Sequence, residues 1–133
     1  MKPAIKPLLL TDEFYTAEGC YIIEQSNDAG DPALSMARAR VAVGVTTRWH
    51  CLVGTAERYY ILAGEGWMEV GGLAPGAVRA GDVVLIPPHC PQRITNTGTE
   101  DLLFLAICSP PFVSSAYRDL GDGPSPTAVV GDS

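Results

Sequence analysis

The sequence predicts an all-β domain, a small sandwich or barrel of about eight short strands. The 133-residue chain contains 14 glycines and 11 prolines, which are the main turn-forming residues. Apolar and polar residues alternate over short runs such as Ser35 to Val45, with the period of two that is typical of strands. No stretch of useful length shows the helical period of apolar residues. These observations favour many short strands joined by tight turns.

The composition argues against several classes of protein. A net charge of -6 argues against nucleic-acid binding, because phosphates require a basic surface. No apolar run approaches the roughly 20 residues of a membrane span, and the run Leu8 to Leu10 is too short for a secretion signal. We therefore expect a cytoplasmic protein with neither a nucleic-acid nor a membrane partner. The four cysteines form no CxxC pair, so we expect free thiols.

In chain order, the sequence predicts a flexible N-terminal arm over residues 1–18, a barrel over 19–113 and a C-terminal segment over 114–133. Pro3 and Pro7 disfavour regular structure in the arm. The tail from Gly121 is rich in Gly, Pro, Ser and Asp and is expected to be disordered. Outside residues 44–66, the predicted strands are 19–25, 35–45, 66–70, 83–86, 92–96 and 102–108. Residues 73–79 are predicted to be a loop.

The chain is organised around residues 44–66, which read as strand, turn and strand. Arg48, His50 and Leu52 share one face of the first strand, and Glu57 and Tyr59 share one face of the second. The glycine in the intervening Val-Gly-Thr triplet breaks the strand pattern. We predict a hairpin that brings His50 and Glu57 together on its concave side. Trp49, Tyr60 and Trp67 have the opposite parity and are expected in the core or on a dimer surface.

Two sequence motifs resemble those of the cupin superfamily. The first has the spacing G-x5-H-x-H-x4-E-x6-G and the second G-x5-P-x-G-x2-H-x3-N. The matching positions are Gly44, His50, Glu57 and Gly64, followed by Gly81, Pro87 and Asn96. The resemblance covers roughly residues 35–112. It implies a double-sheet barrel, or jelly roll, that commonly dimerises through its N-terminal strands.

The resemblance also implies a divalent metal, which cupins commonly hold through three His and one Glu. Here Leu52 stands at the second His position, and Gln92 stands at the third. The predicted ligands are therefore His50, Glu57 and Gln92, for Fe, Mn, Ni or Zn. Alternatively, His50 and Glu57 form a hydrogen-bonded buried pair without metal, and Gln92 is an interior hydrogen-bonding residue.

These residues are compatible with two functional hypotheses. The first is an enzyme of the isomerase, lyase or dioxygenase class that binds a small, anionic organic molecule, with Tyr59 as acid or base. In this interpretation Arg48 binds the ligand's carboxylate, and Leu52 and Tyr59 also contact the ligand. The alternative is a metal-free binding module in which Leu52 lines an apolar pocket. Arg48 has a plainer interpretation as a surface residue, and His89 as an exposed loop residue. In either case we expect a homodimer.

Overall fold

The computed structural model describes residues 1–125 of the chain. It contains eleven strands and two short 3₁₀ turns, Leu10–Asp12 and Ser114–Ala116. The strands are β1 Phe14–Tyr15, β2 Tyr21–Ser26, β3 Ser35–Val41, β4 His50–Leu52, β5 Ala56–Ala63, β6 Glu65–Val70, β7 Gly76–Arg79, β8 Val83–Ile86, β9 Gln92–Asn96, β10 Leu102–Ser109 and β11 Tyr117–Asp119. Within residues 1–125, no helix is long and apolar enough to cross a membrane.

The strands form two antiparallel sheets that pack face to face. The larger has the order β1-β2-β3-β10-β5-β8, and the smaller has the order β11-β4-β9-β6-β7. Side chains from both sheets build one core, in which Val41, Ile61 and Phe104 of the larger sheet pack with Met68 and Ile94 of the smaller. This arrangement confirms the predicted all-β jelly roll.

The predicted hairpin over residues 44–66 is wrong. β4 pairs with β9 and β11, whereas β5 pairs with β10 and β8 in the other sheet. Gly54, at a φ of 77°, lies in the turn that carries the chain from one sheet to the other. A period of two identifies which side chains share a face of a strand, but it does not identify the strand's hydrogen-bonding partner. β4 and β5 therefore belong to opposite sheets.

Three strands form where the sequence predicts none. β1 lies inside the predicted arm and pairs with β2, and β7 lies inside the predicted loop and pairs with β6. β11 lies in the C-terminal segment and pairs with β4. These strands have two to four residues, too few to show an alternating pattern.

The predicted disordered tail is in part packed against the smaller sheet. Arg93 donates hydrogen bonds to the carbonyl oxygens of Asp122 and Pro124, at 3.0 and 2.6 Å. The rest of that prediction, for residues 126–133, lies outside the described residues.

Candidate functional site

A cavity of about 270 Å³ lies between the two sheets. Both sheets supply its walls, and the segments before β2 and around β11 complete them. Its lining includes three carboxylates, one imidazole and five aromatic rings: Glu18, Glu24, Glu57, His50, Phe14, Tyr59, Phe104, Phe112 and Tyr117. The cavity thus combines titratable groups with apolar walls, as small-molecule sites commonly do.

His50, on β4, is held in one orientation at the wall of the cavity. Its side chain is 2% exposed, and its Nδ1 lies 2.7 Å from the carbonyl oxygen of Arg48. Because a carbonyl oxygen can only accept, Nδ1 donates, and in the neutral ring Nε2 then carries the free lone pair. Nε2 lies 3.9 Å from Oε2 of Glu18, and the ring stacks on Tyr117 with centroids 5.1 Å apart. The backbone therefore sets the tautomer of this imidazole.

Glu57 lies on the opposite sheet, at the start of β5, and is 8% exposed. Gln92 donates through Nε2 to Oε1 of Glu57 at 2.5 Å, and Cys108 Sγ lies 3.9 Å from Oε2. Burial raises the pKa of Glu57 to about 7, although the hydrogen bond from Gln92 opposes this change. Glu57 can therefore gain or lose a proton near neutral pH.

Gln92 links the two walls. It is fully buried on β9, where its Cα pairs with that of His50, and its side chain reaches across the barrel to Glu57. Its Oε1 has no hydrogen-bond partner within residues 1–125. The carboxylate thus orients the amide, and Gln92 is not among the residues that line the cavity.

The structure separates the three predicted ligand-contacting residues. Leu52 and Tyr59 line the cavity, and the ring of Tyr59 packs on Phe104 with centroids 4.2 Å apart. Burial raises the pKa of Tyr59 well above its usual value. Arg48 lies outside the lining: its side chain is 40% exposed, and its Nε donates to Asp119 at 3.0 Å. The expectation of an anionic ligand depended on Arg48, and the structure directs this guanidinium to a surface carboxylate instead.

Comparison with known proteins places the chain in a family. The cupin domain model matches residues 37–108. The chain belongs to the cupin family. It is 38% identical over 78 residues to an uncharacterized protein of Methanocaldococcus jannaschii, covering 59% of this chain and 62% of that protein. It is 32% identical over 113 residues to a glucose-6-phosphate isomerase of Thermococcus onnurineus, covering 76% of this chain and 57% of that enzyme. The chain thus spans only about three fifths of these curated relatives.

Solved structures agree on the fold. Pac13, a nucleoside dehydratase of Streptomyces, superposes with a TM-score of 0.70 at 15% identity, covering 88% of this chain and 92% of that one. A predicted oxalate decarboxylase of Thermotoga maritima gives a TM-score of 0.65 at 28% identity, covering 74% of this chain and 90% of that one.

The metal that the cupin family commonly binds does not fit the donor set of this cupin. Within residues 1–125, no group of three or more His, Cys, Asp or Glu is arranged to hold an ion. Leu52 offers no donor atom, and Gln92 presents its N–H group, not its oxygen, to Glu57. Of the predicted ligands only His50 and Glu57 remain, and they would leave most of a transition metal's coordination to water.

Two residues of the cavity were missed by the sequence analysis, Glu18 and Tyr117. Glu18 precedes β2 in the predicted arm, and its carbonyl oxygen accepts from the Arg48 N–H at 2.9 Å, which brings it beside β4. Burial raises the pKa of Glu18, and the nearby His50 ring partly opposes this change. Tyr117 pairs with Leu52 in the β11–β4 register. No local pattern marks either residue, because both reach the cavity through contacts distant in sequence.

The cysteines of this cupin are free thiols, as expected, and two of them line the cavity. Burial raises the pKa of Cys20 to about 12 and raises that of Cys108 further. Both therefore stay protonated at neutral pH, and neither is a thiolate nucleophile.

Proposed function

We propose that this cupin binds a small organic molecule between its sheets and transfers a proton on it, using His50 and Glu57 without a metal. The observation that carries the proposal is the pairing of two proton-transfer groups on opposite walls of one cavity. One is an imidazole with a fixed tautomer, and the other is a carboxyl group whose pKa is about 7. A group titrating near the working pH is the most effective general acid or base.

In this proposal each group has one role. Nε2 of His50 accepts a proton from a C–H or O–H group of the ligand. Protonated Glu57 donates a proton to a ligand oxygen on the other side, while Gln92 holds its carboxyl group in place. Removing one proton and delivering another serves isomerisation and elimination, which belong to the isomerase and lyase classes.

Tyr59 and Leu52 bind the ligand in this proposal. Because its pKa is well above the usual value, Tyr59 stays protonated and acts as a hydrogen-bond donor, not as a base. Leu52 packs against the ligand at the position where a second metal-binding His is common in cupins. This apolar wall also favours the second candidate, a metal-free binding module without catalysis.

Deuterium exchange tests the catalytic proposal without a known substrate. Small hydroxy-carbonyl compounds are incubated with the protein in D2O, and NMR detects any compound whose C–H exchanges. We expect at least one compound to exchange faster than in buffer. Glu57→Gln and His50→Gln should each lower that rate at least about a hundredfold, the usual contribution of a general acid or base.

A matched control is Cys20→Ala, which changes a cavity residue that carries no role and should keep the rate within about twofold. Folding of each variant is checked by thermal unfolding. A panel in which compounds bind but none exchanges would favour the binding module.

A further inference from the structure

The charges and rings of the cavity indicate which class of molecule it binds. We infer that the ligand is a small organic cation, an ammonium group attached to an apolar body. The inference rests on the proposed function only in taking this cavity as the binding site. Its basis is the set of charged and aromatic side chains at the walls.

The first step concerns charge. Glu18, Glu24 and Glu57 line the cavity, and among the lining residues that the structure describes there is no Lys or Arg. Glu57 is almost fully buried, Glu18 is three-quarters buried at its side chain, and Glu24 is exposed at the rim. Charged groups that lie this close to apolar walls interact more strongly than in water. At pH 8, above the pKa of about 7, Glu57 is ionised, so a cationic ligand would be attracted and an anionic one repelled.

The second step is that the nearby arginines bind groups outside the cavity lining: Arg58 donates to the Ser109 hydroxyl at 2.6 Å, and others bind carboxylates. Arg40 binds Glu13 at 2.6 Å on the outer side of the larger sheet. Arg93 binds Glu69 at 2.7 Å on the smaller sheet, and Arg48 binds Asp119 at 3.0 Å. Arg40, Arg93 and Arg48 each have a carboxylate partner of their own, so none of the three is a counter-ion for the carboxylates of the cavity.

The third step concerns the rings. Five aromatic side chains line the cavity: Phe14, Tyr59, Phe104, Phe112 and Tyr117. Aromatic faces attract ammonium groups, and desolvation strengthens that attraction. The hydroxyl oxygen of Tyr117 is buried and has no hydrogen-bond partner in the part of the chain that the structure describes. Carboxylates and rings together form the environment that suits an ammonium ion.

Cavity size limits the ligand. A volume of about 270 Å³ falls just below the range of about 300–1,000 Å³ found for drug-sized ligands. A single ring with a short amine chain that also carries the oxygen required by the proposed proton transfer is the appropriate scale. This class differs from the sugar phosphate for which the Thermococcus isomerase is named, and that ligand would place a phosphate beside the carboxylates.

The test compares three probes of similar size, 2-phenylethylammonium, 2-phenylethanol and phenylacetate. Benzyltrimethylammonium is added to separate primary from quaternary ammonium. Binding is measured at pH 8 and low salt by NMR titration of the full chain. We expect an ammonium probe to bind at least tenfold more tightly than the alcohol, and the carboxylate to bind more weakly than the alcohol. The double variant Glu18→Gln/Glu57→Gln should reduce the ammonium's advantage to less than threefold and leave the alcohol's affinity unchanged.

The control variant Glu65→Gln/Glu100→Gln removes the same charge from exposed positions and should preserve the preference. If the cavity variant fails to fold, Glu18→Gln and the ranking of probes on the wild-type protein decide the question. Equal or tighter binding of phenylacetate would overturn the inference, as would failure of both ammonium probes to bind. Either result leaves the proton-transfer proposal to its own deuterium-exchange test.

Discussion

Burial of Glu57 should make the stability of this protein depend on pH in a specific direction. The pKa of Glu57 rises from 4.5 to about 7 on folding, so the folded protein binds this proton more tightly than the unfolded chain. Stability from this group is greatest below the unfolded pKa, and it falls as pH rises from about 4.5 to about 7. Above about pH 7, Glu57 is ionised in the folded protein, and the free energy of unfolding is lowered by the full cost of burying its charge.

The size of the penalty follows from the shift. At about 1.4 kcal/mol per pKa unit, the free energy of unfolding loses about 3 kcal/mol between pH 4.5 and pH 8 through this residue. Glu57→Gln removes the ionisation and keeps the shape. Because about 1 kcal/mol corresponds to roughly 4 °C for a domain of this size, the variant should melt about 10 °C above the wild type at pH 8. At pH 4.5 the two proteins should melt within a few degrees of each other.

The assay is thermal unfolding by calorimetry and by circular dichroism, from pH 4.5 to pH 8.5. Glu100→Gln is the matched control, since it removes an exposed carboxylate and should leave the pH profile unchanged. The pKa of Glu18 is also raised by burial, so Glu18→Gln/Glu57→Gln should flatten the profile further than Glu57→Gln alone. A Glu57→Gln variant with the wild-type profile would refute the reasoning, because it would show that the carboxyl group is well solvated in the folded state.

Three further predictions concern the metal, the packed tail and assembly. Leu52→His with Gln92→His supplies two missing imidazoles, so zinc affinity measured by calorimetry should rise at least about tenfold over the wild type. No gain in a folded variant would show that these positions do not converge with His50 and Glu57. Arg93→Met leaves buried Glu69 without its partner and removes the donors to Asp122 and Pro124, so the free energy of unfolding in urea should fall by about 3–5 kcal/mol. A decrease under about 1 kcal/mol would contradict a buried ion pair. The outer face of the larger sheet exposes Tyr60, Leu62, Val83 and Leu85, so we expect sedimentation to show a homodimer. Leu85→Lys should weaken this dimer. A wild-type mass of 14.1 kDa at tens of micromolar would contradict the prediction.

The sequence by itself determined the fold class and the interior faces of the longer strands. Alternation along β3 and β5 identified their interior faces, because successive side chains of a strand point to opposite sides. The spacing of His50 and Glu57 between glycines indicated the family, and the substitutions at Leu52 and Gln92 already indicated an incomplete metal site. These features are local, so the linear order of residues is enough to reveal them.

Tertiary structure decided which strands pair and which charges meet. Residues 44–66 contribute one strand to each sheet, and no periodicity distinguishes that arrangement from a hairpin. Arg48 shares strand parity with His50, yet Asp119, from a strand 71 residues away along the chain, binds its guanidinium on the surface. Glu18 and Tyr117 join the cavity from the predicted arm and the C-terminal segment. The pKa of Glu57 depends on burial among residues distant in the chain, and only the folded chain creates that environment.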